Sequence, residues 1–107
     1  MTKPRILVID WKPKECYTKV KDLVDIQFTI DDNPETLEGI AAIVLHNPST
    51  EEQVLNLITK SEPYGIPIIL QGGPQQRASK ILFGELNRVK IIDSYENLFD
   101  YIRDIFK

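Results

Sequence analysis

Cysteine, histidine, tryptophan and methionine each occur once in the 107 residues, and no long apolar run interrupts the chain. Each shortage excludes something. A lone Cys16 cannot close an internal disulfide and fits a reducing, cytoplasmic setting. One Cys and one His cannot furnish the nitrogen and sulfur ligands of a structural zinc site, so neither a metal nor another cofactor is expected. No apolar stretch approaches the ~20 residues that cross a bilayer. The first apolar run, in MTKPRILVID, is too short for a signal peptide and ends in Asp10. No membrane association is therefore expected. Positive charge is not in excess either: the formal net charge is −3 and no Lys/Arg-rich run stands out. Nucleic-acid binding, which draws on a basic patch, is not expected. Repeats, low-complexity tracts and linkers are also missing, so residues 1–107 read as one domain.

What remains is a regular alternation. RILVID (5–10), IAAIVLHN (40–47) and IPIIL (66–70) are nearly unbroken apolar runs, the pattern of strands buried on both faces. DIQFTI (25–30) instead alternates, with Ile26, Phe28 and Ile30 against Gln27 and Thr29, and RVKII (88–92) mixes Arg88 and Lys90 with apolar residues. Half-polar strands belong at sheet edges. Between the runs lie helical patterns. Pro13 opens one that carries Cys16, Tyr17, Val20, Leu23 and Val24 at helical spacing. Asn33-Pro34 opens a short one closed by Gly39, and Ser49-x-x-Glu52 has capping-box form ahead of Val54, Leu55, Leu57 and Ile58. Pro74 begins a fourth, with Ala78, Ile81, Leu82 and Leu86 inward. Ser94 caps the last, whose inner face is Tyr95, Leu98, Phe99, Ile102, Ile105 and Phe106.

Strands alternating with helices pair in parallel through right-handed crossovers. With the second and fifth strands at the edges, the order 2-1-3-4-5 follows, a three-layer flavodoxin-like (βα)5 fold. Its ligand crevice lies beyond the carboxyl ends of the strands, at the switch point between strands 1 and 3. The residues delivered there are Asp10 and Trp11, His46 and Asn47, Gln71, Gly72 and Gly73, then Asp93 and Ser94.

In strand order, element length and the runs RILVID and IPIIL, nearly the whole chain resembles the receiver domains of response regulators. Receivers carry two acids after strand 1, a phosphoacceptor aspartate after strand 3, a Ser or Thr after strand 4 and a Lys after strand 5. Here Asp10 alone matches. Trp11 stands for the second acid, His46 for the phosphoacceptor, Gln71 or Gly72 for the hydroxyl, and Asp93-Ser94 for Lys-Pro. One carboxylate beside Trp11 is a poor start for Mg²⁺, and without Mg²⁺ and lysine nothing neutralises a transferring phosphoryl group. The resemblance implies a pseudo-receiver: a signalling or adaptor domain, not an enzyme, that works through a protein partner or self-association. AAIVLHNPS and GIPIILQGGPQQ are also similar to early strands of class I glutamine amidotransferases. That activity is excluded, because no thiolate, base or orienting group stands in place.

His46 reads first as a strand-end imidazole hydrogen-bonded to backbone at the sheet rim. The alternative function is a small-anion or nucleotide module, with Gly72 and Gly73 exposing backbone N–H groups before a helix and His46 beside them. The same glycines also suit a tight turn needing positive φ, and neither the Walker A nor the G-x-G-x-x-G spacing is present. Trp11 either plugs the crevice or meets a partner. In receivers the face around the fourth helix, fifth strand and fifth helix mediates contacts. The matching positions here are Phe83, Arg88, Lys90, Tyr95 and Tyr101, with Tyr101 off the inner stripe and so at least partly exposed.

Overall fold

The structure, a computed structural model, describes residues 3–10, 15–30, 36–47, 50–72 and 88–106, with Glu15 and Cys16 described by their backbone alone. Five strands form one sheet: β1 (Arg5–Ile9), β2 (Asp25–Thr29), β3 (Ile40–His46), β4 (Ile68–Gln71) and β5 (Val89–Ile92). Every pairing is parallel and the order is β2-β1-β3-β4-β5, as the runs predict.

The unbroken runs follow from burial on both faces. Along β3, Ala42 and Val44 join Ile6, Val8 and Ile69 on one face, while Ile43 and Leu45 join Leu7, Ile9, Ile68 and Leu70 on the other. A strand whose two sides both meet core has no position for a polar residue, so period-2 alternation vanishes. The edge strands keep their polar positions: Asp25 and Gln27 in β2 and Lys90 in β5 are exposed.

Helix α1 (Glu51–Ser61) covers one face with Val54, Leu57 and Ile58. Its cap falls one residue later than the sequence suggests. Thr50 takes an extended conformation and its hydroxyl accepts from the Gln53 amide at 3.1 Å. Val54, Leu57, Ile58 and Ser61 set the inward stripe of the helix, and Leu55, expected inside, is left at 52% exposure. Helix α2 (Tyr95–Ile105) covers the other face. Ser94 caps it through the Asn97 amide, and Leu98, Phe99 and Ile102 are buried. Ile105, expected on the inner stripe, stands 38% exposed in the last turn, while the following Phe106 packs against the core.

Between β1 and β2 the chain forms a 3-10 helix (Glu15–Val20) rather than the expected α-helix. Its buried Tyr17 and Val20, with Val24, still pack under α2. Ile30, read as the last inward residue of the second strand, falls beyond β2 and is 76% exposed. The helices expected from Asn33-Pro34 and from Pro74 fall mostly or wholly outside the described residues, as do Ala78, Ile81, Leu82 and Leu86.

Arg88 ties the end of α1 to the start of β5. Its guanidinium donates to the Ile58 carbonyl (2.8 Å), the Ser61 hydroxyl (2.7 Å) and the Ile66 carbonyl (3.0 Å). Its own carbonyl accepts from the Ile68 amide at 2.7 Å, where the β4–β5 pairing begins. A cation here also faces the negative end of the α1 dipole. Ser61 is fully buried and donates to the Ile58 carbonyl, so the cluster is satisfied without water. Replacing Arg88 by Met leaves these acceptors with one partner fewer each and is expected to cost about 2–3 kcal/mol by chemical denaturation. Lys, a point charge without the planar fork, should restore less than half of that loss.

Candidate functional site at the carboxyl edge of the sheet

Parallel pairing brings every strand's carboxyl end to one edge. Asp10 follows β1, Asn47 follows β3, Gly72 follows β4 and Asp93 follows β5, while His46 and Gln71 are the last residues of their strands. The ladder extends one step further, with the Asp10 amide on the Thr29 carbonyl (3.0 Å) and the Asn47 amide on the Gln71 carbonyl (2.8 Å). Trp11 and Gly73 lie outside the described residues. The edge therefore assembles Asp10, His46, Asn47, Gln71 and Gly72 from the residues that the sequence points to.

His46 shares a face with Ala42 and Val44 and so turns into the aromatic core, where it is 4% exposed. Its Nδ1 lies 2.8 Å from the Gln71 carboxamide oxygen, and the Gln71 carboxamide nitrogen donates to the Asp93 carbonyl at 3.3 Å. The second contact fixes the first. Only the amide nitrogen can donate to a carbonyl, so the oxygen faces the imidazole and Nδ1 must carry the proton. In the neutral ring Nε2 is then an acceptor, and the Tyr17 hydroxyl donates to it at 2.5 Å. A chain of donors thus runs from Tyr17 through His46 and Gln71 to the Asp93 carbonyl. Tyr17 stands edge-on to His46 (5.7 Å between ring centres), Phe28 (5.7 Å) and Phe99 (5.3 Å), and Tyr95 tilts over the imidazole at 5.5 Å. Both ring nitrogens are occupied and the ring is enclosed. The expected rim imidazole bonded to backbone is instead bonded to two side chains and sits inside the core.

The switch point between β1 and β3 holds a cavity of about 240 Å³. Asp10, Asn47, Gln53 and the edge of His46 supply its polar lining, and Ile9, Leu45 and Ile30 its apolar walls. Asp10 is 8% exposed, and Gln53 comes from the first turn of α1, beside Glu51 and Glu52. None of the described residues lining the cavity is a Lys or Arg. Among the described residues no group of three His, Cys, Asp or Glu is placed to hold a metal ion.

Asn47 and Gly72 make the strand-end turns with positive φ, +50° and +68°. A Cβ on Gly72 would stand 2.9 Å from the Asn47 side-chain oxygen. Glycine is required there on two counts, conformation and proximity.

Of the positions read as partner contacts, Phe83 lies outside the described residues and the Arg88 guanidinium is directed inward to α1. Tyr95 is half-buried and belongs to the aromatic cluster around His46. Lys90 is exposed, with its ammonium 5.8 Å from the centre of the half-buried Tyr101 ring. Sequence reasoning passed over Tyr17 and Gln53 as site residues. Tyr17 sits in an amphipathic stripe where an aromatic reads as core, and nothing local links it to a histidine 29 positions away.

No family model matches the chain, and no solved structure matches it. It is 31% identical over 98 residues to the carbamoyl phosphate synthase large chain of two Clostridium botulinum strains, Eklund 17B and Alaska E43. The match takes in 89% of this chain but about 9% of the length of those curated relatives. Among the described residues no helix is long and apolar enough to cross a membrane.

Long-range nitrogen–proton NMR should find His46 as the Nδ1–H tautomer, and Tyr17→Phe, which strips Nε2 of its donor, should destabilise the protein by about 1–2 kcal/mol. Gly72→Ala should cost about 1–3 kcal/mol. Adding Asn47→Gly should return part of that loss, a non-additivity readable from a double-mutant cycle, because the opposing oxygen is gone.

Proposed function

We propose that the chain is a receiver-like module that is not phosphorylated and that works through contact with a protein partner or a second copy of itself. The observation that carries this reading is the state of His46. It stands at the position where a receiver holds its phosphoacceptor, yet both imidazole nitrogens are engaged and the ring is 4% exposed. Accepting a phosphoryl group on nitrogen would require breaking the Tyr17 or Gln71 bond and opening the aromatic cluster. No described cation lines the adjoining cavity to neutralise the incoming charge. A buried polar chain of this kind serves to fix one arrangement of the carboxyl edge, which suits a recognition domain better than a catalytic one.

The receiver resemblance itself rests on strand order and element pattern, and that fold hosts many functions. The likeness to the carbamoyl phosphate synthase large chain takes in about 9% of that protein's length and does not bear on this reading. We assign no synthase activity to it. Contact surface is available along β5 and α2, where Lys90, Tyr101, Asn97 and Asp100 line an open groove of about 370 Å³. Cytoplasmic residence goes with this reading, supported by the single cysteine.

Incubation with acetyl phosphate and Mg²⁺, followed by intact mass measurement, is expected to give no adduct. A stable phosphorylated species that disappears in His46→Gln would overturn the reading. Lys90→Glu with Tyr101→Ala is expected to weaken capture of the partner from the native cell, or self-association in sedimentation, without loss of folding.

A further inference from the structure

A sheet of five parallel strands has two outer edges, and here they differ. At β5 the exposed Lys90 stands on the edge strand, its ammonium 5.8 Å from the Tyr101 ring, and a lysine there discourages a further strand from pairing. The β2 edge carries no such guard. Asp25-Ile26-Gln27-Phe28-Thr29 contains no Lys, Arg or Pro, and it pairs with β1 residue for residue, without a bulge. The Asp25 amide donates to the Pro4 carbonyl, and the Thr29 carbonyl accepts from the Asp10 amide. Residues 25, 27 and 29 thus direct their backbone groups to β1. The N–H and C=O groups of Ile26 and Phe28 point away from the sheet, and among the described residues none bonds to them. Their side chains are only half-buried, and Ile30, immediately past the strand, is 76% exposed.

We propose that the outer edge of β2 pairs antiparallel with β2 of a second copy of this chain, about a two-fold axis at Gln27. The outward backbone groups select that register. Centred on Gln27, Ile26 of each copy stands opposite Phe28 of the other, and each such pair exchanges both its N–H···O bonds. Centred on Ile26, Phe28 would fall opposite Val24, whose amide already donates to the Val20 carbonyl at 3.1 Å. Centred on Phe28, Ile26 would fall opposite Ile30, beyond the end of β2. The side chains agree with the backbone. Ile26 against Phe28 is a β-branched and aromatic cross-strand pair, made twice, and it extends the cluster under α2. Gln27 meets its own symmetry mate on the other face, and a carboxamide both donates and accepts, so the two can bond each other. Asp25 lies opposite Thr29, which leaves the two Asp25 carboxylates about 13 Å apart along the ladder, beyond the ~8 Å screening length of physiological salt. A second copy supplies this complement by symmetry. Five strand residues a side fall short of the ~20–30 of a stable interface, so the dimer is weak and concentration-dependent. The contact stands apart from the adaptor reading: phosphorylation of His46 would sink that reading and leave this edge as it is.

The test is NMR on the whole chain, as an equal mixture of isotope-labelled and unlabelled copies, with sedimentation equilibrium alongside. Raising the concentration is expected to move the Ile26 and Phe28 amides and to slow their hydrogen exchange. An intermolecular NOE between the Gln27 α-protons is expected as well, because an antiparallel pair without mutual hydrogen bonds brings its Cα atoms to about 4.5 Å. Gln27→Lys and Gln27→Glu each set like charges together at the axis, on an exposed side chain, and each should weaken the dimer roughly tenfold. Mixed, the two variants should associate at least as tightly as the parent chain, since opposite charges then meet. Ile26 and Phe28 amides that ignore concentration overturn the proposal. So does association that both variants retain, or that their mixture fails to restore. A dimer whose NOEs set Gln27 against any other residue overturns it too.

Discussion

Everything at the carboxyl edge depends on β3 being hydrogen-bonded on both sides. β1 and β4 pair with it in parallel, and the register sets Leu45 between Ile9 and Leu70, and His46 beside Gln71. Because side chains alternate, that register sends Leu45 to one core and His46 to the other. A slip of one residue would bury the imidazole among the aliphatic side chains under α1, away from the Tyr17 hydroxyl. The burial of both faces is thus also what aims the histidine.

The hydrogen-bond chain through His46 is the second consequence. A polar ring in an apolar cluster is tolerated only when its donors and acceptors are met, and here each is met by a group from a different element. Tyr17 arrives from the 3-10 helix after β1, Gln71 from β4, and Asp93 from the turn after β5. The network therefore ties four segments of the carboxyl edge together. It also accounts for glycine at position 72. The chain must turn immediately after Gln71 has presented its carboxamide, and the Asn47 side chain already fills the space that a Cβ would need. The crevice beside the network is partly open and, among the described residues, shares His46 with it.

Much of the architecture was written into the runs themselves. Ile43–Leu45 and Ile68–Leu70 have no polar interruption because both faces meet core, whereas Gln27 and Lys90 mark the edge strands by facing water. That contrast is local and one-dimensional, so composition along the chain suffices to order the sheet. Helix ends were less legible. Ser49 and Thr50 are both competent caps, and only the packing of Val54 and Leu57 under the sheet selects Thr50 and turns Leu55 outward. The last residues of elements were misread as well: Ile30 falls beyond β2, and Ile105 turns outward while Phe106 packs against the core.

Topology also predicted which residues gather at the crevice, since parallel strands deliver their ends to one side. What those residues do to one another was not in the sequence. The partners of His46 lie 29 and 25 positions away, and each would pass alone as an ordinary core or turn residue. Arg88 likewise reads as a surface cation at an edge strand, until folding brings three acceptors from the end of α1 and the following loop within reach of its guanidinium. Strand order is fixed by the hydropathy of each segment, a property that the segment carries unaided. Tautomer, cavity charge and the inward turn of a cation depend on atoms that meet only after the chain has closed.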